Sequence, residues 1–498
     1  MILIVDFGSQ TAHMIGRRLK KMGIAVDICQ PNQLTSRIGQ LNPRGIILSG
    51  GPASVNQTDS PTIDTNILAR NIPILGICYG WQLMAKLLGG QVVSERKEYG
   101  PEQVYFRKNV FGLNSLSGSV IMSHGDCVEQ IPTGFEIIAS TKNVACAAAY
   151  NPVKRLYGVQ FHPELHDTEQ GFEMLNFFVT NIAGCVSTLT PLNINDIMNK
   201  IRTNVGKDEV ICAISGGVDL TVTATLIEQA IGRQLRLVYV ENGLMRTQTQ
   251  ERVLDLFPRV TVIQAESVFL QALKGNTDPE VKRKTIGKLF IDLFEQEARK
   301  FPKVKFLAQG TIYSDVIESQ GTKLSSKIKS HHNVGGLPEK LALRLLEPLR
   351  EFYKDEVRDI GRLLKIPEVT LMEHPFPGPG YAVRIRGEVT SSRLKQVKQA
   401  DAILTEEMRK AGLYNKVFQC FPVMTGAYST AVRGDEGIFA EVVASRAYES
   451  VDIMTSSWAR LPYDVLQNIS TRIVNEVPHV SRVVYDISTK PPATMEWE

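Results

Sequence analysis

The chain has 498 residues, of which 43% are hydrophobic and 22% charged, and its net charge is +4. At about 150 residues per domain this length predicts about three domains, and the composition is ordinary for a globular protein that buries several cores. The small net charge gives no case for nucleic-acid or membrane partners. Seven scattered cysteines without a C-x-x-C pair argue against a disulfide framework or a zinc site and favour a reducing, cytoplasmic location.

The N-terminal segment predicts a strand rather than a targeting signal. MILIVDFGSQ lacks a basic stretch followed by a long apolar run, so we expect no signal peptide. Nowhere does an apolar run approach the roughly 18 residues that a membrane span needs, so we expect no membrane segment.

The first part of the chain alternates strand and helix signals. Apolar runs at Ile2–Val5 and Ile72–Leu75 predict strands, and the second run leads into a predicted helix over Trp81–Leu88. A stripe of apolar residues predicts a closing helix over Glu169–Ala183. This alternation predicts an α/β domain with a doubly wound, parallel sheet over residues 1–185.

The alternation begins again after a linker at residues 184–193 that contains Ser, Thr and Pro. Val210–Ile214 predicts a strand, Ser215–Asp219 a loop, and Thr221–Ala230 a helix. We therefore expect a second doubly wound α/β domain over residues 193–378.

A cluster of prolines and glycines at His374–Gly380 can be neither helix nor central strand, and it marks the second boundary. Beyond it the pattern predicts helices over Ser392–Ala411 and Ser457–Asn475, and strands over Val442–Ala444 and Arg482–Ile487. The predicted fold class is α/β, with two doubly wound parallel-sheet domains followed by a small α+β C-terminal domain over residues 379–498.

Cys78 lies between a predicted strand and a predicted helix, in the segment GICYG. This segment has the G-x-nucleophile-x-G form of a nucleophile elbow, in which the glycines let the backbone turn sharply. The helix that follows points N–H groups at the sulfur, which helps to hold an oxyanion. His162 is the candidate base and Glu164 could orient its imidazole. The alternative is that Cys78 is a small buried apolar residue and His162 is structural.

Five segments give this region a more specific character: FGSQ at 7–10, SGGP at 49–52, GICYGWQ at 76–82, SHGD at 123–126 and GVQFHPE at 158–164. Together they resemble the class I glutamine amidotransferase domain. The resemblance implies that Cys78 forms a glutamyl thioester and releases ammonia, with His162 as base and Glu164 as its orienting partner. It also implies an oxyanion hole at Gly51 and at the amide of Tyr79.

The segment SGGVDL joins a predicted strand to a predicted helix. Glycine lets backbone N–H groups close around phosphate oxygens, and a helix N-terminus adds partial positive charge. The segment is not a Walker A loop, because G-x-x-x-x-G-K-[ST] is absent, and an SGG turn alone is weak evidence because many turns contain Gly-Gly.

The same segment resembles the SGGxDS motif of the PP-loop ATP pyrophosphatases. Those enzymes cleave ATP between the α and β phosphates, adenylylate a substrate oxygen and release pyrophosphate. Leu220 stands where the motif ends in Ser, so one hydroxyl that would contact pyrophosphate is absent, and Thr221 is a candidate to replace it. The resemblance implies an ATP-binding loop made by Ser215, Gly216, Gly217, Val218, Asp219 and Leu220.

Both domains, in this order and with this tail, resemble the glutamine-hydrolysing GMP synthetases over nearly the whole chain. The supporting segments are Thr277–Pro279, Lys282–Lys284, Gln309–Thr311, Asp315–Ser319, Lys327–Pro338, His374–Gly380 and Asp486–Glu498. The resemblance implies that ATP adenylylates xanthosine 5′-monophosphate (XMP) at its C2 oxygen. Ammonia taken from glutamine then displaces AMP to give GMP.

The resemblance also assigns residues and partners in the synthetase part. It implies that Asp219 helps to hold Mg²⁺ against the phosphates of ATP. Lys329 and His331 fall in a lid near both nucleotides, and Lys490 and Glu496 match tail positions that contact the substrate nucleotide. The implied partners are the small molecules glutamine, ATP and XMP and, through the tail domain, a second copy of the chain in a homodimer.

Five positions in the synthetase part depart from the family pattern: Leu220 replaces Ser, Glu241 replaces Asp, Ser314 replaces Pro, Glu373 replaces Arg, and Tyr381 replaces Leu. Two alternatives to GMP synthesis therefore stay open. One is a related enzyme that aminates a different purine position or nucleotide, for example XMP at C6. The other is a nucleotide-binding regulator whose synthetase is inactive.

Overall fold

The computed structural model describes residues 1–9, 11–94, 97–188, 192–313, 315–316, 343–433, 436–450, 456–490 and 492–498. The chain divides into two compact units, Met1–Pro191 and Leu192–Glu498, and this division falls inside the predicted linker. The further boundary near residue 379 stays a prediction. Within the described ranges no helix is long and apolar enough to cross a membrane.

The first unit is built on a sheet whose described part has nine strands, in the order β2-β1-β3-β4-β11-β10-β9-β6-β7. Its strands, with those of a small β5-β8 ladder, are β1 (Ile2–Val5), β2 (Val26–Cys29), β3 (Gly45–Leu48), β4 (Ile74–Ile77), β5 (Gln91–Val93), β6 (Glu98–Phe106), β7 (Ser117–His124), β8 (Cys127–Gln130), β9 (Glu136–Ser140), β10 (Ala148–Asn151) and β11 (Leu156–Val159). Its helices are α1 (Ala12–Lys21), α2 (Leu34–Leu41), α3 (Tyr79–Leu87) and α4 (Gly171–Phe177).

The predicted parallel sheet is confirmed for five neighbouring strands, β2, β1, β3, β4 and β11, which pair in parallel. These strands are short and apolar, and β1, β3 and β4 are buried along their whole length, as expected where helices cover both faces. The remaining strands extend this sheet with antiparallel pairs. The closing helix begins later than predicted, at Gly171, because Gln170 has a left-handed φ of 58°, and it continues as a π-helical turn over Phe178–Ile182.

Two glycines make room for a tryptophan behind the parallel strands. Gly76 in β4 and Gly158 in β11 are register partners. A Cβ built on Gly76 would lie 2.7 Å from the backbone nitrogen of Trp81, and one on Gly158 would overlap the Trp81 ring. The ring is fully buried and lies 5.4 Å from that of Phe135, so it has no space into which it could withdraw.

We expect Gly158→Ala to destabilise the first unit by about 3 kcal/mol, since overpacking a rigid core costs roughly 1–3 kcal/mol and this overlap is with an immobile ring. Urea unfolding followed by circular dichroism measures the loss. Gly39→Ala is the matched control, because Gly39 is exposed in α2 and a Cβ there meets nothing within 4 Å. We expect that control to be neutral or slightly stabilising. Equal stability of the two variants would contradict the packing argument.

The second unit begins with a parallel sheet in the order β14-β13-β12-β15-β16. The strands are β12 (Glu209–Ala213), β13 (Leu235–Glu241), β14 (Thr261–Gln264), β15 (Val304–Ala308) and β16 (Arg344–Leu346). The helices are α5 (Ile194–Val205), α6 (Val218–Ile231), α7 (Thr249–Leu256), α8 (Glu266–Leu273), α9 (Pro279–Ala298), α10 (Lys354–Leu363) and α11 (Glu368–Leu371). The helix predicted over Thr221–Ala230 therefore begins three residues earlier than expected, at Val218.

The C-terminal region is α+β, as predicted, with the helices α12 (Ser391–Lys410) and α13 (Tyr463–Glu476) and the strands β17 (Gln419–Arg433), β18 (Glu436–Glu449), β19 (Ser457–Trp458) and β20 (Val480–Tyr485). Two predicted elements are corrected. The run Val442–Ala444 is the middle of a much longer hairpin strand. The helix predicted from Ser457 begins only at Tyr463, because Pro462 disfavours helical backbone in the residue before it, and Ser457 instead pairs with Glu449.

His374 holds the Pro/Gly segment against this region. Its ring stacks on that of Tyr414 with centroids 3.7 Å apart. Nε2 donates to the Tyr414 carbonyl at 2.8 Å, while Nδ1 accepts from the backbone N–H of Cys420 at 3.3 Å. Because Nδ1 is already an acceptor, the neutral ring fits this site and a second ring proton would not. Burial lowers the pKa of His374 to about 4, although its bond to the Tyr414 carbonyl opposes that shift.

We expect this region to lose stability as the pH falls from 6.5 towards 4. The unfolded chain takes up a proton on His374 near pH 6.5, whereas the folded chain resists until about 4, so roughly 3 kcal/mol is lost across that window. Amide hydrogen exchange in α12 at pH 7 and at pH 4.5 measures the change, after correction for the intrinsic exchange rate. His374→Gln should remove most of this dependence, whereas His166→Gln, at an exposed site, should keep it. An unchanged slope in His374→Gln would contradict the assignment.

Candidate active sites

Cys78 lies at a sharp turn between β4 and α3. It has φ 49° and ψ −108°, a conformation that is rare for a residue with a side chain and is typical of a nucleophile elbow. Its backbone N–H donates to the carbonyl of Val159 at 2.8 Å, which ties the turn to the end of β11. Gly80 is required two residues later, because a Cβ there would overlap the backbone of Leu48.

His162 and Glu164 follow β11 and lie beside the elbow. Nδ1 of His162 is 2.7 Å from Oε1 of Glu164, and both side chains are buried. A Cβ built on Gly50 would lie 3.0 Å from Cε1 of His162 and 3.8 Å from the Cβ of Cys78, so the imidazole and the nucleophile border the same small space. The structure thus brings together the three residues that the sequence pattern selected.

The charges of this group favour a protonated imidazole. Burial alone lowers the pKa of His162, but the negative charge of Glu164 and the hydrogen bonds to Cys78 and Glu164 outweigh burial, so the pKa stands well above its ordinary value. An imidazolium next to the sulfur stabilises a thiolate, which is the nucleophilic form of cysteine. The geometry therefore suits attack on a carbonyl carbon.

Gly51 and Tyr79 lie together next to the elbow. The N–H of Gly80 donates to the carbonyl of Ser49 at 3.0 Å, which joins the segment 49–51 to the start of α3. A Cβ on Gly51 would lie 3.3 Å from the Tyr79 ring, so this position needs glycine for a close approach. Backbone N–H groups at such a junction can stabilise an oxyanion next to the nucleophile.

The sequence pattern missed one group at the sulfur. The side-chain amide of Gln160 donates from Nε2 to Sγ of Cys78 at 3.7 Å, and Sγ in turn lies 3.6 Å from the carbonyl of Ser123. Gln160 stands inside the segment GVQFHPE, two residues before His162. Alternation along an extended segment, which places residues i and i+2 on one face, was the available signal.

The second site lies where β12 meets α6. Gly216 has a φ of +80°, and the hydroxyl of Ser215 accepts from the backbone N–H of Gly217 at 3.3 Å. The structure starts α6 at Val218, so the last two residues of the predicted loop Ser215–Asp219 belong to the first helical turn. This correction favours phosphate binding, because the N–H groups of a first turn have no partner within their own helix.

Asp219 projects from this first turn and forms an ion pair with Lys354 of α10. Nζ of Lys354 lies 2.7 Å from each carboxylate oxygen, and both side chains are about one-third exposed. Lys354 is a second residue that the sequence pattern missed, since no local motif marks it. A lysine held at a glycine loop is a suitable point charge for a phosphate.

Leu220 has no hydroxyl that could contact a phosphate, and its side chain packs against apolar residues instead. It is half-buried against the core of the second unit, and a Cβ on Gly310 would lie 3.2 Å from its Cδ2. Thr221 is buried within α6, at 1% exposure, so it does not present a hydroxyl at the surface of the loop.

Three other departures from the family pattern are joined to their neighbours, and Ser314 lies outside the described residues. Tyr381 donates to Asp401 at 2.8 Å, and Asp401 also accepts from Arg246 at 2.9 Å. Arg246 in turn donates to Glu373 at 2.7 Å, so Glu373 and Tyr381 belong to one buried network. Glu241 accepts separately from the hydroxyl of Tyr239 and from the N–H of Gly243. These residues have structural partners within the chain.

The tail carries the remaining candidates. Glu496 accepts from Nε and Nη2 of Arg384 at 3.1 and 2.8 Å. Arg384 is fully buried between the rings of Phe376 and Phe421, and within the described part of the chain its Nη1 has no hydrogen-bond partner. Lys490 pairs through its backbone with Ser456, and Lys329 and His331 lie outside the described residues.

Comparison with known proteins gives matches at both ends of the chain. Residues 3–182 match the family described as glutamine amidotransferase class-I, and residues 406–497 match the GMP synthase C terminal domain. The chain is 48% identical to the GMP synthase [glutamine-hydrolyzing] of Marinobacter nauticus, over 100% of this chain and 98% of the relative. It is also 48% identical to the protein of that name from Symbiobacterium thermophilum, over 100% and 99%. The corresponding Lactobacillus acidophilus protein is 47% identical, over 100% and 98%.

Proposed function

The chain belongs to the glutamine-hydrolysing GMP synthases, and from that premise we propose which of its residues carry out each step. The overall reaction adenylylates XMP with ATP and aminates it with ammonia from glutamine, giving GMP, AMP, pyrophosphate and glutamate. The observation that carries the proposal is the presence, on one chain, of a Cys–His–Glu elbow and of a glycine loop at a helix N-terminus. No observation favours amination at another position or an inactive synthetase.

In the first unit, the thiolate of Cys78 attacks the side-chain amide carbon of glutamine. The C–S bond forms as the carbonyl electrons move to oxygen, where the N–H groups of Gly51 and Tyr79 stabilise the charge. The C–N bond then breaks and ammonia leaves with a proton from His162, whose ring Glu164 holds in place. Water, deprotonated by the same imidazole, hydrolyses the thioester to glutamate and restores Cys78.

In the second unit, the first-turn N–H groups of α6 and the side chain of Ser215 bind the phosphates of ATP. Lys354 neutralises phosphate charge as the C2 oxygen of XMP bonds to the α-phosphorus and pyrophosphate leaves it. Asp219 fits a magnesium ligand, because Mg²⁺ prefers carboxylate oxygen and is usually held by one or two carboxylates together with substrate phosphates. When bound, Mg²⁺ would offset the phosphate charge.

We place XMP against the tail of the second unit. The unpaired Nη1 of Arg384 is a buried cationic donor, and Glu496 beside it is a carboxylate acceptor, so the pair suits a ligand that carries both an anionic group and N–H donors. Lys490, Lys329 and His331 belong to this proposal through the family resemblance alone.

A homodimer completes the proposal. The tip of the β17–β18 hairpin exposes Tyr428, Val432 and Phe439, and the rings of Tyr428 and Phe439 stack 5.7 Å apart. A second copy of the chain would remove this apolar surface from water. Light scattering should give twice the mass of one chain. Phe439→Glu should lower the measured mass, whereas the control Val153→Glu, at an exposed site of the first unit, should leave it unchanged. We also propose a cytoplasmic location, which is supported by the absence of any disulfide bond among the seven cysteines, all of which the structure describes.

Product analysis tests the proposed reaction. The protein is incubated with XMP, Mg-ATP and glutamine, and the nucleotides are separated against GMP and isomeric standards. We expect GMP and AMP in equal amounts. A product of GMP mass at a different retention time would overturn the assigned position of amination, and the absence of AMP would overturn the synthetase assignment.

A further inference from the structure

Gln160 is a buried polar residue to which the proposed reaction gives no role. Its side chain is fully buried, and Nε2 lies within hydrogen-bond distance of the nucleophilic sulfur. Within the described part of the chain, its other polar atom, Oε1, is buried without a partner. A buried amide with an unpaired end reduces stability, and an apolar side chain of the same shape would avoid that cost.

The fold fixes the position of this amide. Ile77 and Val159 are register partners at the ends of the parallel strands β4 and β11, so Cys78 and Gln160 leave the sheet side by side. The backbone N–H of Gln160 donates to the carbonyl of Ala147 at 2.8 Å, which holds its backbone in place. Gln160 and His162 are two residues apart on an extended segment, and both side chains reach the sulfur from that segment.

The two protonation states of the sulfur have different partners. A thiol can donate to the carbonyl of Ser123, which lies 3.6 Å from Sγ. A thiolate has no hydrogen to donate, so it repels that carbonyl and needs N–H donors instead. Gln160 supplies one such donor next to the imidazole, and hydrogen bonds that a charged atom accepts are about twice as strong as neutral ones.

We propose that Gln160 is a catalytic residue of the glutaminase, whose side-chain N–H stabilises the Cys78 thiolate and directs its lone pair towards the amide carbon of glutamine. The inference rests on the proposed function of Cys78 and deepens it. The hydrogen bond weakens as the negative charge leaves sulfur for the carbonyl oxygen. The amide therefore prepares the nucleophile before the reaction, whereas Gly51 and Tyr79 act on the charge that develops later.

Two variants of similar shape test the proposal. Gln160→Met keeps the length and lacks the donor, and Gln160→Glu keeps the outline and replaces the amide N–H with oxygen. Alkylation of Cys78 by iodoacetamide, followed by peptide mass spectrometry across pH, gives the midpoint of thiolate formation. We expect this midpoint to rise by about 1 pH unit and glutamine-dependent synthesis to fall roughly tenfold or more in both variants. Ammonia-dependent synthesis should change by less than about twofold, because it bypasses the glutaminase. If Gln160→Met does not fold, the same measurements on Gln160→Glu test the proposal.

The outcomes separate this inference from the proposed function. Wild-type midpoints in both variants, with glutamine-dependent rates within about threefold of the wild type, would overturn the role of Gln160 and leave that of Cys78 intact. A lower midpoint would also overturn it, because the amide would then be an acceptor for the thiol. If the wild type itself is not alkylated at Cys78, or Cys78→Ala still uses glutamine, it is the proposed function that fails.

Discussion

We expect Cys78→Ala to remove glutamine-dependent GMP synthesis and to leave ammonia-dependent synthesis near the wild-type rate. We expect the glutamine-dependent rate to fall by at least about 10³-fold, because no other group in the site can form the thioester, and losses on removing a nucleophile are commonly larger still. The ammonia-dependent rate should survive because the loop at Ser215–Leu220, to which we assign adenylylation, lies on a separate unit. AMP release with XMP, Mg-ATP and either nitrogen source measures both rates.

The matched control for this variant is Cys127→Ala. Cys127 is a buried cysteine of the same unit, so the substitution removes an equal number of atoms without touching the elbow. Both variants should fold, and only Cys78→Ala should lose glutamine use. Loss of both activities in a folded Cys78→Ala protein would contradict the assignment of two separate sites.

We expect Asp219→Asn to lower synthesis from both nitrogen sources, by roughly 10²- to 10³-fold. A carboxylate that holds a metal against transferring phosphates, and that orients a lysine, contributes a few kcal/mol to the transition state. The amide keeps the shape of the side chain and removes the charge that pairs with Lys354. The decisive rate is AMP formation from XMP, Mg-ATP and ammonium, because the glutaminase takes no part in it.

Glu228→Gln serves as the control for this second variant. Glu228 lies on the same helix, α6, and its ion pair with Arg259 is also partly exposed, so the variant loses one comparable surface pair. Such pairs contribute only about 0–1 kcal/mol to stability, and neither variant should unfold. Equal rates in Asp219→Asn and Glu228→Gln would exclude a role for Asp219 in adenylylation.

The sequence predicted which three side chains of the proposed glutaminase site lie together, because each of them belongs to a local motif at the end of a strand. Cys78 sits at the end of one predicted strand, and His162 and Glu164 follow another, so the parallel sheet alone brings them to one edge. The parallel core could be predicted for the same reason, since short apolar strands separated by helices leave few other arrangements. The antiparallel strands β10, β9, β6 and β7, which continue the sheet next to β11, do not alternate with helices in the sequence, and they were not predicted.

Contacts between distant parts of the chain were beyond the reach of sequence patterns. Lys354 meets Asp219 across 135 residues, and Arg384 meets Glu496 across 112. Lysine and arginine are usually solvated, and only the fold shows that these two are held against carboxylates. The start of α6 at Val218 was missed for another reason, since helix boundaries respond to backbone contacts that a hydrophobic pattern does not record.

Trp81, which packs behind the elbow, is an intrinsic fluorescence probe of the first unit. The sequence has three tryptophans, and Trp81 is fully buried three residues after the nucleophile, while Trp458 and Trp497 lie in the second unit with their rings partly open to water. An aqueous quencher such as acrylamide therefore suppresses the emission of the outer pair and spares that of Trp81. What remains is the emission of Trp81, in the first turn of α3, so the unfolding of the first unit can be followed separately in the intact protein, without a label.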